Sequence, residues 1–518
     1  MNRKVTLLYI SLACVLSLQA QTRQQMGGVY YAYPEGPSAK TGTFGTATYV
    51  MSDSLSVPQG YAPFYISHYG RHGSRWMPKD DRYVWICKHF EDESNLTPLG
   101  LQVKGMLQRV WENARGNGGK LSKLGALQHQ GIAHRMFERY PQIFAAGNAV
   151  KARSSVVDRC AKSMQAFTSE LHSLQPGLNL DVKTDSADMA WIAYVSPEVK
   201  DLENRTHVQA QVSPRRFLLQ LFKDVSKVDE PLKLMTEMHT VASSIQDVGL
   251  NFSSYPQDIE DGLNALFTDD EFRAIYEANN LRMAINNGTV ATNEDIPARS
   301  AISLWQNIEA EADRALRSVK SSATLRFGHD TALYRLLSLL FDVNVPPAGA
   351  REEASLVVLG DEMEKMDRVV PMAANLQMIF YKNAKDSVLV KFMLNERDVM
   401  LSPVGQVIYG THYYSWNAWK QEMHERIHRL EHIRQLNAIN TMVGTAQANT
   451  QTAGMFGKGS EEHGQTIPAV LVPNGQNFWT PQTQDTEQKC IAPYYYKDTH
   501  LQGFRCSHWL VGGCTQDY

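Results

Sequence analysis

The chain has 518 residues, 43% of them hydrophobic and 20% charged, and a formal net charge of -3. Single hydrophobic cores stop growing well below that length, so more than one domain is expected, and the apolar share suffices for ordinary globular folding. The near-neutral balance gives no sign of a broad polyanion-binding surface, and nucleic acid is not an expected partner.

The amino terminus reads MNRK, then the apolar run VTLLYISLACVLSL, then QAQ. Basic, apolar and small-residue regions in that order are those of a secretory signal, so cleavage is expected after Ala20 and the product is expected to be exported, periplasmic or secreted. Cys14 in SLAC does not make a lipoprotein box, because Ser11 stands three residues before it and the apolar run continues past it; no lipid anchor is expected. No later segment approaches the ~18 consecutive apolar residues that a spanning helix needs. The remaining cysteines, Cys87, Cys160, Cys490, Cys506 and Cys514, are odd in number and widely spaced, which is neither a disulfide framework nor a metal cluster.

Residues 62–67 are apolar and rich in aromatic and branched side chains, as a buried strand requires, and Gly70 and Gly73 then punctuate a loop within YISHYGRHGSRW. Helices are predicted at 97–114 and 123–140, with the turn-rich RGNGGKLS between them. NAVKARS is a brief strand ending at Arg153. After it, Val157, Cys160, Met164, Phe167 and Leu171 recur at alternating spacings and mark one face of an amphipathic helix. From 185 to 320 the pattern is mainly helical, an insertion rather than a continuation of the sheet. The sheet resumes at SATLRFGHDTALYRLLSLLF, with a strand through Phe327, Gly328 as hinge, and a helix carrying Leu333, Leu336, Leu337 and Leu340. NLQMIFYK and SVLVKFML read as a hairpin, and a charged helix at 416–436 closes the region. This order implies an α/β fold, a three-layer sandwich with a central mixed sheet over 21–184 and 321–436, a helical cap over 185–320, and a short β-rich stub over 437–518.

In open α/β sheets the ligand crevice lies at the carboxyl ends of the strands. Three polar groups follow predicted strands there: Arg71-His72-Gly73-Ser74-Arg75, Arg153, and His329-Asp330. Arginines, histidines and a carboxylate together suit a phosphoryl group. Guanidinium forks bind its oxygens in pairs and neutralise the dianion, and a neutral imidazole nitrogen then attacks phosphorus to form a covalent intermediate. Taken singly, an RHG tripeptide is equally a solvated surface segment and a His-Asp pair is a weaker signal still; order and context carry the reading.

The segment 66–75 resembles the signature of the histidine acid phosphatases, which include phytases and multiple inositol polyphosphate phosphatases. LSKLGALQHQGIAHRMFERYPQIF is similar to that family's first long helix, KARSSVVDRCAKSMQAF to its RSTxxxRxxxSAxxF segment, and GHDT to its distal HD motif. The resemblance implies that His72 becomes phosphohistidine, that Arg71, Arg75 and Arg153 grip the phosphate with His329 as a further donor, and that Asp330 protonates the leaving oxygen. It implies no metal and no cofactor, and a small phosphate monoester, phytate or a sugar phosphate, as substrate. Three departures touch substrate identity: Trp76-Met77 precede Pro78, His329-Asp330 stands where the inositol polyphosphate branch often has His-Ala-Glu, and Ile379-Phe380 stands where a Glu-Leu pair is usual. In the insertion, Arg215 and Arg216 are candidates to meet further phosphates, with a solvated helix face as the favoured reading. Lys79 and Arg82 share that ambiguity.

From residue 437 onward the chain is rich in Gly, Gln, Thr and Pro. NAINTMVGTAQANTQ, EEHGQTIPAVLVPNGQNFWTPQT and KDTHLQGFRCSHWLVGGCTQDY resemble, in order, the beginning of a family 92 glycoside hydrolase, an α-mannosidase family. Only the first part of its amino-terminal β-sandwich is expected here, and a Gly-rich linker is the plainer alternative. The sequence thus points to an exported histidine acid phosphatase, with two alternatives. One is a glycan-processing or glycan-binding protein carrying an inactive phosphatase-like domain; the other is a phosphotransferase or mutase.

Overall fold

A computed structural model describes residues 22–33, 57–290, 293–340, 357–358, 365–400, 413–456, 505–508 and 513–515. The signal-like segment and most of the carboxyl-terminal stub lie outside the described residues. The strands are β1 (Tyr61–Arg71), β2 (Ala149–Ser154), β3 (Asn179–Thr184), β4 (Ser322–Gly328), β5 (Val357–Val358), β6 (Asn375–Asn383), β7 (Val388–Leu394), β8 (Arg397–Met400) and β9 (Tyr414–Ser415). They form one mixed sheet in the order β3-β2-β4-β1-β6-β7-β8-β5, with β9 paired to β7. β1, β2, β3 and β4 are parallel to one another, whereas β6 runs antiparallel to β1. The carboxyl ends of β1, β2 and β4 therefore open on one edge, and the residues entering β6 arrive there from the other direction.

The helices that position the site are α1 (Asp80–Lys88), α2 (Pro98–Ala114), α3 (Lys123–Arg139), α4 (Asp158–Leu174), α5 (Pro231–Val248), α6 (Ile302–Leu316), α7 (Asp330–Leu340) and α8 (Trp416–Phe456). Local chemistry starts two of them: the Thr97 hydroxyl accepts from the Gly100 amide with Pro98 in the first turn, and the Ser122 hydroxyl accepts from the Gly125 amide. Alternation along β1 divides the layers. Ile66 joins Ile132, Met136, Val150, Met164 and Phe167 in an apolar cluster under α3 and α4. Tyr65 and Tyr69 take the other face, where α6 lies against β1, and the Tyr69 hydroxyl donates to the Ile192 carbonyl at 2.7 Å. The expected three-layer α/β sandwich with a central mixed sheet is the fold observed.

Three elements differ from expectation. β1 does not stop at residue 67 but continues through Arg71, because Gly70 is paired on both sides, with Phe327 of β4 and Asn375 of β6. A side chain at Gly70 would lie 2.7 Å from the His68 ring, so the glycine admits an imidazole rather than opening a loop. The helical cluster does not begin at residue 185: Ile86 of α1 and Val103, Leu107 and Val110 of α2 share one apolar core with Phe217, Met238, Val241, Ile245 and Phe272. Finally, α8 runs on to Phe456 rather than ending at 436, in a stretch that has no proline to stop it and holds Ala, Gln and Met among its residues. The chain divides into two compact units, Met1–Glu422 and Met423–Tyr518, and the second contains a short antiparallel pair, Arg505–His508 with Gly513–Thr515.

Candidate active site

Where β1 ends, the chain folds into a tight loop, and each turn of it is held. The Arg71 amide donates to the Ala374 carbonyl at 2.7 Å and the His72 amide to the Gly328 carbonyl at 3.0 Å, while the Ala373 amide donates to the His72 carbonyl at 3.0 Å. Gly73 is required by contact: a side chain there would overlap the backbone of Gly125 on α3. The Gly73 amide donates to the Ser163 hydroxyl of α4 at 3.1 Å and the Ser74 amide to the Gln128 side-chain carbonyl of α3 at 2.8 Å. β4, β6, α3 and α4 thus fix one imidazole.

That imidazole, His72, is buried, and its Nδ1 lies 2.9 Å from the Gly73 carbonyl. A carbonyl only accepts, so Nδ1 carries the proton and Nε2 keeps a free lone pair. Burial first, then Arg71, Arg75 and Arg159, holds the ring well below its ordinary pKa, so it stays neutral in acid. A neutral, oriented imidazole beside several cations is the state a nucleophile requires.

The cations are held in place by contacts that leave donors over. Arg71 is fully buried, and its Nη1 donates to the carbonyls of Val29 at 2.7 Å and Val370 at 2.6 Å. Its Nε and Nη2 make no hydrogen bond among the described residues, although Nη2 is ion-paired with Asp330 at 3.1 Å. Arg75 donates from Nη1 to the Trp76 carbonyl at 2.8 Å and lies 5.3 Å over the Tyr30 ring, and its Nε is unpartnered. Arg159, in the first turn of α4, is half-buried with its Nε also unpartnered. Burial, followed by the charge of Arg75, lowers its pKa. Three neighbouring guanidinium groups with spare donors form a site that is costly when empty and is relieved by an oxyanion.

His329 and Asp330 follow β4. The His329 ring stands 5.8 Å from the His72 ring, centroid to centroid, and its Nε2 lies 3.1 Å from the Ser155 hydroxyl. Burial and then Arg159 push it down to about 4. Asp330 begins α7 and accepts from the Thr331 amide at 2.9 Å. Burial acts to raise its carboxyl, but Arg71 and Arg75, with His329 and that amide, outweigh burial and hold it below the usual carboxylate range. With no anion bound, Asp330 is a carboxylate.

The structure therefore brings Arg71, His72, Arg75, His329 and Asp330 together and leaves Arg153 aside, which corrects the expected role of Arg153. Its guanidinium donates to the Asp181 carboxylate of β3 at 2.6 Å and to the Ala152 and Asp181 carbonyls, each at 2.8 Å, with Asp188 3.9 Å away. It stands in register with Arg326, whose side chain reaches Ser67 on the α6 face of the sheet. Arg159, six residues further along the same quoted segment, was missed; the signal for it was the second arginine of the RSTxxxR pattern. The carbonyls of Val29 and Val370 and the ring of Tyr30 were also missed; backbone carbonyls carry no sequence signal, and Tyr30 stands in no motif. Arg216 is bound to Glu271 and the Leu266 carbonyl, and Arg82 to Glu237, which makes both structural.

Comparison with known proteins gives two results. Residues 438–518 match the family model described as the glycosyl hydrolase family 92 N-terminal domain. Multiple inositol polyphosphate phosphatase 1 of Gallus gallus is 23% identical over 341 residues, which is 62% of this chain and 73% of that protein. In fold, the chain is similar to the Bifidobacterium longum multiple inositol polyphosphate phosphatase in complex with inositol hexasulfate, with a TM-score of 0.57 at 16% identity, covering 76% of this chain and 97% of the other. It is also similar to the phytase from D. castellii, with a TM-score of 0.52 at 12% identity, covering 78% and 85%. Both resemblances read from the motifs, to histidine acid phosphatases and to family 92, are borne out.

Proposed function

We propose that this chain is an exported phosphoric monoester hydrolase that works through a phosphohistidine on His72. The observation that carries the proposal is the free Nε2 lone pair of a neutral His72 set among three guanidinium groups with unpartnered donors. In this mechanism the oxygens of a bound phosphate monoester take the spare donors of Arg71, Arg75 and Arg159. Nε2 attacks phosphorus in line with the ester oxygen, the P–N bond forms as the P–O bond breaks, and Asp330 gives its proton to the departing alkoxide. Water then attacks the phosphohistidine with Asp330 as base, which releases inorganic phosphate and restores the neutral imidazole.

The Asp330 proton has a physical source. An incoming phosphate displaces the carboxylate from Arg71 and adds negative charge beside it, and both changes raise the Asp330 pKa from its depressed value. Activity on alkyl phosphates is therefore expected to fall as pH rises and Asp330 loses that proton. Asp330→Asn is predicted to slow alkyl phosphates by about 10²–10⁴-fold, the usual range for a lost general acid, and p-nitrophenyl phosphate far less, because nitrophenolate leaves without help. Equal losses on both substrates would remove Asp330 from the role.

The named relatives favour inositol polyphosphates as the substrate class. The family 92 segment favours phosphorylated glycan fragments as a second candidate, and it also carries the alternative that function resides in the tail. Phosphate release that disappears in His72→Ala assigns the chemistry to the first unit.

A further inference from the structure

Among the buried acids that the mechanism above leaves unused, one touches the loop that carries His72. Asp247 lies in the last turn of α5, has 0% exposure, and accepts a hydrogen bond from the Ser74 hydroxyl at 2.6 Å. Ser74 stands between His72 and Arg75, so this bond ties the helical cluster to the loop that carries the nucleophile. The second carboxyl oxygen of Asp247 is buried and has no hydrogen-bond partner among the described residues. An ionised carboxylate with one donor in such a place is poorly compensated. Asp247 therefore favours the neutral acid even with two arginines nearby. Burial raises its pKa to about 8, with Ser74, Arg75 and Arg71 acting in the opposite direction.

We propose that Asp247 is a positioning residue whose charge state sets how tightly the guanidinium socket holds a phosphoryl group. As the neutral acid it braces Ser74 and leaves the full field of Arg71 and Arg75 to the ligand. As the carboxylate it stands against the same two arginines from behind and competes with the bound anion. The charged and titratable groups around it are Arg71 on β1, Arg75 in the loop and Tyr255 on the segment after α5, whose pKa is itself raised well above its ordinary value. Across pH 6 to 9 the other shifted groups of the ligand-free site keep their charge: His72 and His329 are already neutral, Asp330 is already ionised, and Cys160 is pushed up to about 12. Among these shifted groups Asp247 is the one that changes charge in that window before the anion binds; any dependence that the anion imposes through Asp330 persists in Asp247→Asn, and the part set by Asp247 does not.

The inference rests on the anion-socket function proposed above, and binding rather than turnover tests it. Sulfate is the probe, because it remains a dianion throughout the range. Calorimetric titration of the full chain is expected to show sulfate affinity weakening by about tenfold from pH 6 to pH 9, the scale of one partly screened charge. Asp247→Asn, which keeps an acceptor for Ser74 and cannot ionise, is expected to flatten that dependence. Ser74→Ala removes the one donor to the carboxylate among the described residues and is expected to move the weakening to higher pH; it also provides the readout if Asp247→Asn does not fold. Sulfate binding whose pH dependence is the same in all three proteins overturns the inference and leaves the socket intact. No sulfate binding by the wild type overturns both.

Discussion

At the scale of the residue, the site is a matter of which donors remain unspoken for. Two arginines in one segment, Arg153 and Arg159, are indistinguishable by type, and the strand-end rule selects Arg153. The neighbouring strand decides otherwise: Asp181 on β3 captures Arg153 with a carboxylate and a carbonyl, while Arg159, on the first turn of α4, faces the cluster with a free Nε. That choice depends on a contact across 28 residues of sequence, so the local pattern could not contain it. That His72, Arg71, Arg75, His329 and Asp330 gather in one place was legible because they stand at or within a few residues of the carboxyl ends of β1 and β4. The distinction is measurable. Arg159→Ala is predicted to lower kcat/KM on p-nitrophenyl phosphate by about 10²–10³-fold, as loss of one preorganised charge donor does, whereas Arg153→Ala is predicted to change it by less than about fivefold. The reverse order would restore Arg153 to the socket.

At the scale of the element, the loop owes its shape to two glycines in contact. Gly73 meets the backbone of Gly125 with no room for a methyl group, and Gly125 itself lies against the Ser74 backbone. The helix motif LSKLGALQH is thus a docking surface as much as a helix: Ser122 caps it, Gly125 admits the loop, and Gln128 receives the Ser74 amide. Gly73→Ala is predicted to push the loop off α3 and lower kcat by at least ~10²-fold, since an ångström of misplacement at a reacting centre costs about that much. Circular dichroism close to that of the wild type, with normal turnover, would contradict this packing. Helices and strands with a clear period were read correctly in kind and nearly in extent, as the predicted 123–140 against the observed Lys123–Arg139 illustrates. β1 was read too short because a glycine normally signals a turn, and here it accommodates the His68 ring inside a central strand.

At the scale of the whole molecule, the order of strands and insertions was legible, and the composition of the apolar cores was not. The sequence places α1 and α2 with the sheet, yet their apolar faces close on Phe217, Met238 and Ile245, because a helical cluster recruits any amphipathic face the chain brings back to it. The family 92 segment was readable from motif order alone, and its match over 438–518 bears that out. Whatever the second unit does, the chemistry proposed for the first turns on one covalent event. The most direct test is to mix the full chain with p-nitrophenyl phosphate, quench in alkali, where a phosphorus–nitrogen bond survives, and locate the phosphoryl group by peptide mapping. The account predicts a single acid-labile phosphoryl group on the peptide containing His72, absent from His72→Ala. Turnover with no such species, or with the label on another side chain, would contradict it.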